Sequence, residues 1–265
     1  MNSREFKCST ILSEMVDNYG LVGIKTSFED EGASFEEVIR LKEICNQAKT
    51  KITLKVQGPE ASRDIRDSEI IGVKGLVAPM VESAFGLEKY IASTKTNLAP
   101  SVREKTNLAI NVETIQAYNN LDSILESEAI KDLYGITIGR VDFVSSMGKD
   151  RSFVDSKEMY DMVESAFTRI KKAGLSTYVG GAITTNSYEF LSKLYKKGLL
   201  NRFETRYAIY DPSIALKNLN KALAKGQLFE YEWLVNKSER YQRQADKEKN
   251  RIQMIQDRIN QSTSI

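Results

Sequence analysis

The feature that most constrains this chain is a repeated alternation of short apolar runs with longer amphipathic ones. Strand-like runs fall at 20–29 (GLVGIKTSFE), 51–57, 75–81, 107–112, 134–138, 176–179 and 202–210. The stretches between them read as helices. Phe35, Val38, Ile39, Leu41 and Ile44 make one helical stripe behind Ser34 and Glu37, which have capping-box spacing. Helices are also expected over 61–71, 84–93, 115–125 and 187–196. Another is expected behind a second capping box at Asp155 and Glu158. Its buried face is Met159, Met162, Val163, Ala166, Phe167 and Ile170, and Gly174 ends it. Strands separated by helices imply a parallel sheet, because a parallel connection needs a crossover.

Seven such units in 265 residues favour a closed TIM-type (β/α) barrel over an open sheet. An eighth strand is not evident; the run 8–15 is the place left for it. After Gly226 the pattern changes, so the barrel is assigned to 1–226 and a C-terminal helical extension to 227–265. Residues 228–260 are charged and free of Gly and Pro. Tyr241, Ala245, Ile252, Ile255 and Ile259 form a narrow stripe that suits docking on a second copy, and a homo-oligomer is expected.

Composition removes several classes of function. The net charge is +2 and the cations are interspersed with carboxylates, so no nucleic-acid face is expected. No apolar run is long enough to span a bilayer and the first ten residues lack a leader pattern, so a cytoplasmic protein is expected. The two cysteines, Cys8 and Cys45, read as buried thiols. The chain has no histidine. That excludes His-based triads, His-ligated zinc and imidazole bases, leaving carboxylates, Lys, Tyr, Cys or metal-bound water for proton transfer.

In parallel barrels the active site lies at the C-terminal ends of the strands. The polar residues expected there are Lys25, Glu29, Lys55, Glu60, Glu82, Glu113, Arg140, Asp142, Gly180 and Gly181, with Arg202, Glu204 and Arg206 alternating along the last run. A mouth rich in carboxylates suits a hard divalent cation such as Mg²⁺ or Mn²⁺. Each residue also has a plainer reading. A strand-end carboxylate is often a helix cap, two glycines often make a turn, and Arg202, Glu204 and Arg206 on one face make an ion-pair ladder as readily as a substrate site. Lys25, facing into a barrel, needs a carboxylate partner.

Three stretches, in order, resemble the HpcH/HpaI aldolase and citrate lyase family: GLVAPMVES at 75–83, NVETIQAYNNLDSIL at 111–125 and IGRVDFVSSMG at 138–148. The resemblance covers roughly 20–210. It implies a metal-dependent carbon–carbon lyase or aldolase working on a pyruvate-like 2-oxo acid, with an aldehyde or acyl partner, through a metal-stabilised enolate. It places the metal ligands on Glu113 and Asp142. On this reading Lys55 and Arg140 stabilise negative charge, and Glu60, Glu82 or metal-bound water moves the proton. Lys25, Glu29, Gly180, Gly181, Glu204 and Arg206 line the substrate. The chain departs from the family twice. Lys55 stands where the family usually has Arg, and Glu29 and Asp30 stand where its aldolases often have Glu-His. The alternatives are a Schiff-base aldolase using Lys25 or Lys55, and a non-catalytic barrel serving assembly.

Overall fold

A computed structural model describes residues 1–263 of the chain. Eight strands close into a barrel in sequence order: β1 Leu21–Ser27, β2 Ile52–Lys55, β3 Gly75–Ala78, β4 Asn107–Val112, β5 Gly135–Gly139, β6 Ser176–Gly180, β7 Arg202–Glu204 and β8 Ala208–Tyr210. β1 to β7 run parallel, and β8 is antiparallel to both of its neighbours, β7 and β1. The expected TIM-type barrel is therefore present, with one reversed strand.

That strand comes from the run 202–210, expected as one strand and found as a hairpin. Thr205 N donates to Ala208 O at 2.9 Å, and Ala208 N donates to Thr205 Oγ1 at 3.1 Å. Three residues cannot make a crossover, so the chain returns antiparallel. The run 8–15, offered as a place for the missing strand, lies inside a helix, Ser3–Tyr19. Asn2 caps it, accepting from Glu5 N while the Glu5 carboxylate accepts from Asn2 N. Gly20 ends it at φ 70°, where a Cβ would stand 2.9 Å from Ile214 Cβ.

The core is the apolar filling between barrel and helices. The Ser34–Glu37 capping box forms as expected, and Val38, Leu41 and Ile44 are buried, while Ile39 is exposed. The second capping box does not form at Asp155. Ser156 caps the helix Lys157–Lys172, and the Asp155 carboxylate is engaged by Arg140. Cys8 and Cys45 are both buried and free, and burial pushes each thiol up to about 12.

The C-terminal helix runs Leu219–Thr263, so the boundary expected at Gly226 falls inside it. Its first part is wall. Leu223, Phe229 and Trp233 are buried, Tyr210 Oη donates to Ala222 O at 2.9 Å, and a Cβ on Gly226 would meet Tyr210 Oη at 2.5 Å. The N-terminal helix is tied to it by Lys7–Glu232 at 2.6 Å and Arg4–Glu232 at 3.0 Å. From 238 to 262 every residue is exposed. Among the described residues, no helix is long and apolar enough to cross a membrane.

Candidate active site at the mouth of the barrel

The C-terminal ends of the parallel strands surround a cavity of about 570 Å³. Glu113, one residue past β4, is buried, 2% exposed. Its Oε1 accepts from Met80 N at 3.1 Å and its Oε2 from Asn111 Nδ2 at 2.9 Å. Met80 takes φ 51°, a left-handed conformation rare for a side-chain-bearing residue, and so aims its N–H at Glu113. Burial pushes the Glu113 carboxyl above its ordinary range, against the opposing pull of Lys55, Asn111 and Met80; Asp142 nearby adds to the rise. Asp142 lines the same cavity from the first turn of the helix Arg140–Ser146, which follows β5.

Lys55, at the end of β2, places its ammonium 3.0 Å from Glu29 and 3.7 Å from Glu113. Burial lowers its pKa, but Glu113, Glu29 and Asp142 together outweigh that and raise it, so the ammonium persists. Lys25 pairs with Glu204 across β1 and β7 at 2.5 Å, the partner its inward position demanded. Arg206, on the hairpin loop, pairs with Asp30 at 3.1 Å and Glu31 at 3.5 Å. Gly180 and Gly181 pass close to other groups. A Cβ on Gly180 would touch Glu204 Cγ at 3.0 Å. At Gly181, φ 86°, a Cβ would sit 2.8 Å from Val141 N.

Nine of the twelve residues given a role by the family resemblance line this cavity: Lys25, Glu29, Lys55, Glu113, Asp142, Gly180, Gly181, Glu204 and Arg206. Glu60, Glu82 and Arg140 do not. Glu60 is exposed and pairs with Lys89 at 2.7 Å. Glu82 accepts from Thr114 Oγ1 at 2.5 Å, bracing the helix that follows β4. Arg140 has no exposed surface. It donates to Gly180 O at 3.3 Å, Gly181 O at 2.7 Å and Val154 O at 3.0 Å, pairs with Asp155 at 2.6 Å, and lies 4.7 Å over the Phe190 ring. Its fork is spent on holding two loops together. The ladder of Arg202, Glu204 and Arg206 does not form, because the hairpin sends them apart. Arg202 faces Asp211 at 3.4 Å and lines a cavity at the opposite end of the barrel, which Glu204 also reaches.

Cavity residues given no role from the sequence include Glu31, Asn111, Thr137, Arg151 and Glu230. Asn111 was legible, since it lies two residues before Glu113 and shares its face of β4. The Glu31 side chain is little exposed, accepts from Thr26 Oγ1 at 3.1 Å, and has its carboxyl pushed up by burial.

The donor set fits a hard cation. Seven carboxylates line the cavity (Glu29, Asp30, Glu31, Glu113, Asp142, Glu204 and Glu230) against four cations (Lys25, Lys55, Arg151 and Arg206), leaving a surplus of negative charge. Asn111 Oδ1, buried beside Glu113, has no hydrogen-bond partner. Among the described residues no three His, Cys, Asp or Glu side chains gather to enclose a metal. Two carboxylates, Glu113 and Asp142, would leave the remaining positions of such a cation to water and substrate, as is usual for Mg²⁺.

The structure is a closed (β/α)-barrel whose mouth is lined by carboxylates and an ammonium. The chain belongs to the HpcH/HpaI aldolase/citrate lyase family, whose sequence profile matches residues 40–193. It is thus a lyase of the aldolase type, acting on carbon–carbon bonds. Solved structures agree in fold. Citrate synthase SbnG matches with a TM-score of 0.61 and 17% identity, over 84% of this chain and 89% of that one. An HpcH/HpaI aldolase from Desulfitobacterium hafniense DCB-2 gives 0.56 and 12%, over 72% and 88%. A lead(II) complex of Haloferax volcanii malate synthase gives 0.53 and 14%, over 72% and 62%. No curated protein matches the chain by sequence.

Proposed function

We propose that this chain makes or breaks a carbon–carbon bond next to a 2-oxo acid, with a divalent cation, Mg²⁺ or Mn²⁺, held by Glu113 and Asp142. The observation that carries the reading is the setting of Glu113. It is a buried carboxylate, oriented by two N–H donors, in one cavity with Asp142 and with an ammonium 3.7 Å away. When bound, the cation supplies Lewis-acid charge for the carboxylate and keto oxygens of the 2-oxo acid.

The chain's own groups do the rest. Met80 N–H and Asn111 Nδ2 fix the Glu113 carboxylate in one orientation. Lys55 stays an ammonium and faces the negative charge that develops on the substrate oxygen, as a preorganised donor. Glu29, 3.0 Å from Lys55 at the cavity wall, is the carboxylate we assign to proton transfer, since Glu60 and Glu82 lie outside. Lys25 and Glu204 neutralise each other below the substrate and keep the inner wall rigid.

Calorimetric titration with Mn²⁺ tests the reading. Glu113→Gln and Asp142→Asn are each expected to abolish metal binding and turnover of pyruvate adducts while leaving the unfolding transition in place. Unchanged Mn²⁺ affinity in both variants would sink it.

A further inference from the structure

Four cationic side chains line the mouth, and three are already neutralised. Lys25 is held by Glu204, Lys55 by Glu29 and Glu113, and Arg206 by Asp30 and Glu31. Arg151 is the exception: its guanidinium makes no ion pair or hydrogen bond among the described residues. It is exposed at the rim, whereas Glu113 lies at the floor of the same cavity.

The position of Arg151 is built, not incidental. It opens the 3-10 turn Arg151–Asp155, capped by Asp150, whose carboxylate accepts from Ser152 N at 2.9 Å. The far end of that turn is clamped from beneath by Arg140, which donates to Val154 O and pairs with Asp155. Ser187 Oγ donates to the other Asp155 oxygen at 3.1 Å. The same Arg140 holds Gly180 O and Gly181 O. The turn bearing Arg151 and the glycine turn beside it are thereby fixed as one wall of the cavity. Arg140 is a positioning residue for that wall.

We infer that Arg151 anchors an anionic group, a carboxylate or phosphate, at the end of the substrate remote from the 2-oxo acid. This deepens the proposed aldol chemistry and rests on it for the placement of the 2-oxo acid at the floor. The inner site has surplus negative charge, which a divalent cation offsets. The rim instead offers one unpaired guanidinium, a planar fork that matches carboxylate and phosphate oxygens. The partner half of the substrate is then an anionic aldehyde or acyl compound. Met80, Ile183 and Leu223 line the cavity as well and suit its short apolar or neutral middle.

Mn²⁺-loaded full-length enzyme is tested with pyruvate and two matched pairs of aldehydes: glycolaldehyde phosphate against glycolaldehyde, and 5-oxopentanoate against pentanal. The two pairs separate phosphate from carboxylate. Wild type is expected to favour the anionic member of at least one pair by about tenfold or more in kcat/KM. Arg151→Ala is expected to remove that preference through KM, and Arg151→Lys to keep part of it. No preference in wild type, or an equal loss on both members of a pair in Arg151→Ala, overturns the inference. Binding of the unreactive anions glycerol 3-phosphate and glutarate by calorimetry gives a readout independent of turnover. If neither anion's affinity changes in Arg151→Ala, the anchor is refuted. If affinity falls about tenfold but no aldehyde is turned over, the anchor stands and the aldol reading is the one that fails.

Discussion

A Cβ on Gly139 would stand 2.7 Å from Glu113 Oε2 and 2.9 Å from Glu113 Cβ. The end of β5 is bare, and the carboxylate that follows β4 fills the space. Gly139→Ala is expected to displace the Glu113 carboxylate from Met80 N–H and Asn111. A shift in an oriented ligand typically costs about 10- to 100-fold in metal affinity. Mn²⁺ calorimetry on this variant is expected to show that loss with a thermal transition close to wild type; an unchanged affinity contradicts the placement of Glu113.

Lys55 separates two kinds of aldolase chemistry. As a fixed ammonium it never bonds to substrate, so Lys55→Arg keeps its charge and is expected to retain measurable activity. Lys55→Ala is expected to lose about 10²–10³ in turnover, the usual effect of removing one donor from a developing oxyanion. The carboxylates around Lys55 raise its pKa, which opposes the neutral amine that imine formation needs. Borohydride with pyruvate is expected to trap no adduct on Lys55 or Lys25. An adduct formed in EDTA, with turnover intact, reverses the assignment.

Arg140 is expected to act on stability before it acts on rate. Replacing it with Met removes the cation paired with Asp155 and the donor to the Val154, Gly180 and Gly181 carbonyls. Breaking a buried pair in this way costs about 3 kcal/mol. Urea unfolding of Arg140→Met should show a midpoint well below wild type. A midpoint within error of wild type would mean the two loops hold without the clamp.

Removal of residues 242–265 is expected to change assembly without harming the barrel. Phe229 and Trp233 stay in place, whereas a cut at 228 strips both from the core. Ile252, Ile255 and Ile259 are exposed beyond Tyr241, whose hydroxyl still donates to Glu37, and such a stripe calls for a covering surface. Light scattering at micromolar concentration is expected to find an oligomer for the full chain and a smaller species for the truncated one. A monomeric full-length chain rules this out.

The alternation of apolar runs with amphipathic stripes determined seven of the eight strand positions and the closed barrel, because strand and helix periods are local properties of a dozen residues. The same local reading brought Glu113, Asp142 and Lys55 to one mouth, since the ends of parallel strands share one face of the barrel. Pairings across long separations were decided only in three dimensions. Whether 202–210 was one strand or two depended on Thr205 closing on Ala208. Arg140 follows a strand end, as a site residue would, yet Asp155 and the Gly180–Gly181 carbonyls draw it inward from 15 to 41 residues away. Arg151 sits in a stretch with no periodicity at all, and only the clamp beneath its turn brings it to the rim. The C-terminal helical extension was read as beginning at 227, where the charged stretch free of Gly and Pro sets in. It starts at Leu219, and its first turns are held to the barrel by Tyr210 Oη on Ala222 O and by burial of Leu223 and Phe229, contacts that local spacing does not relate.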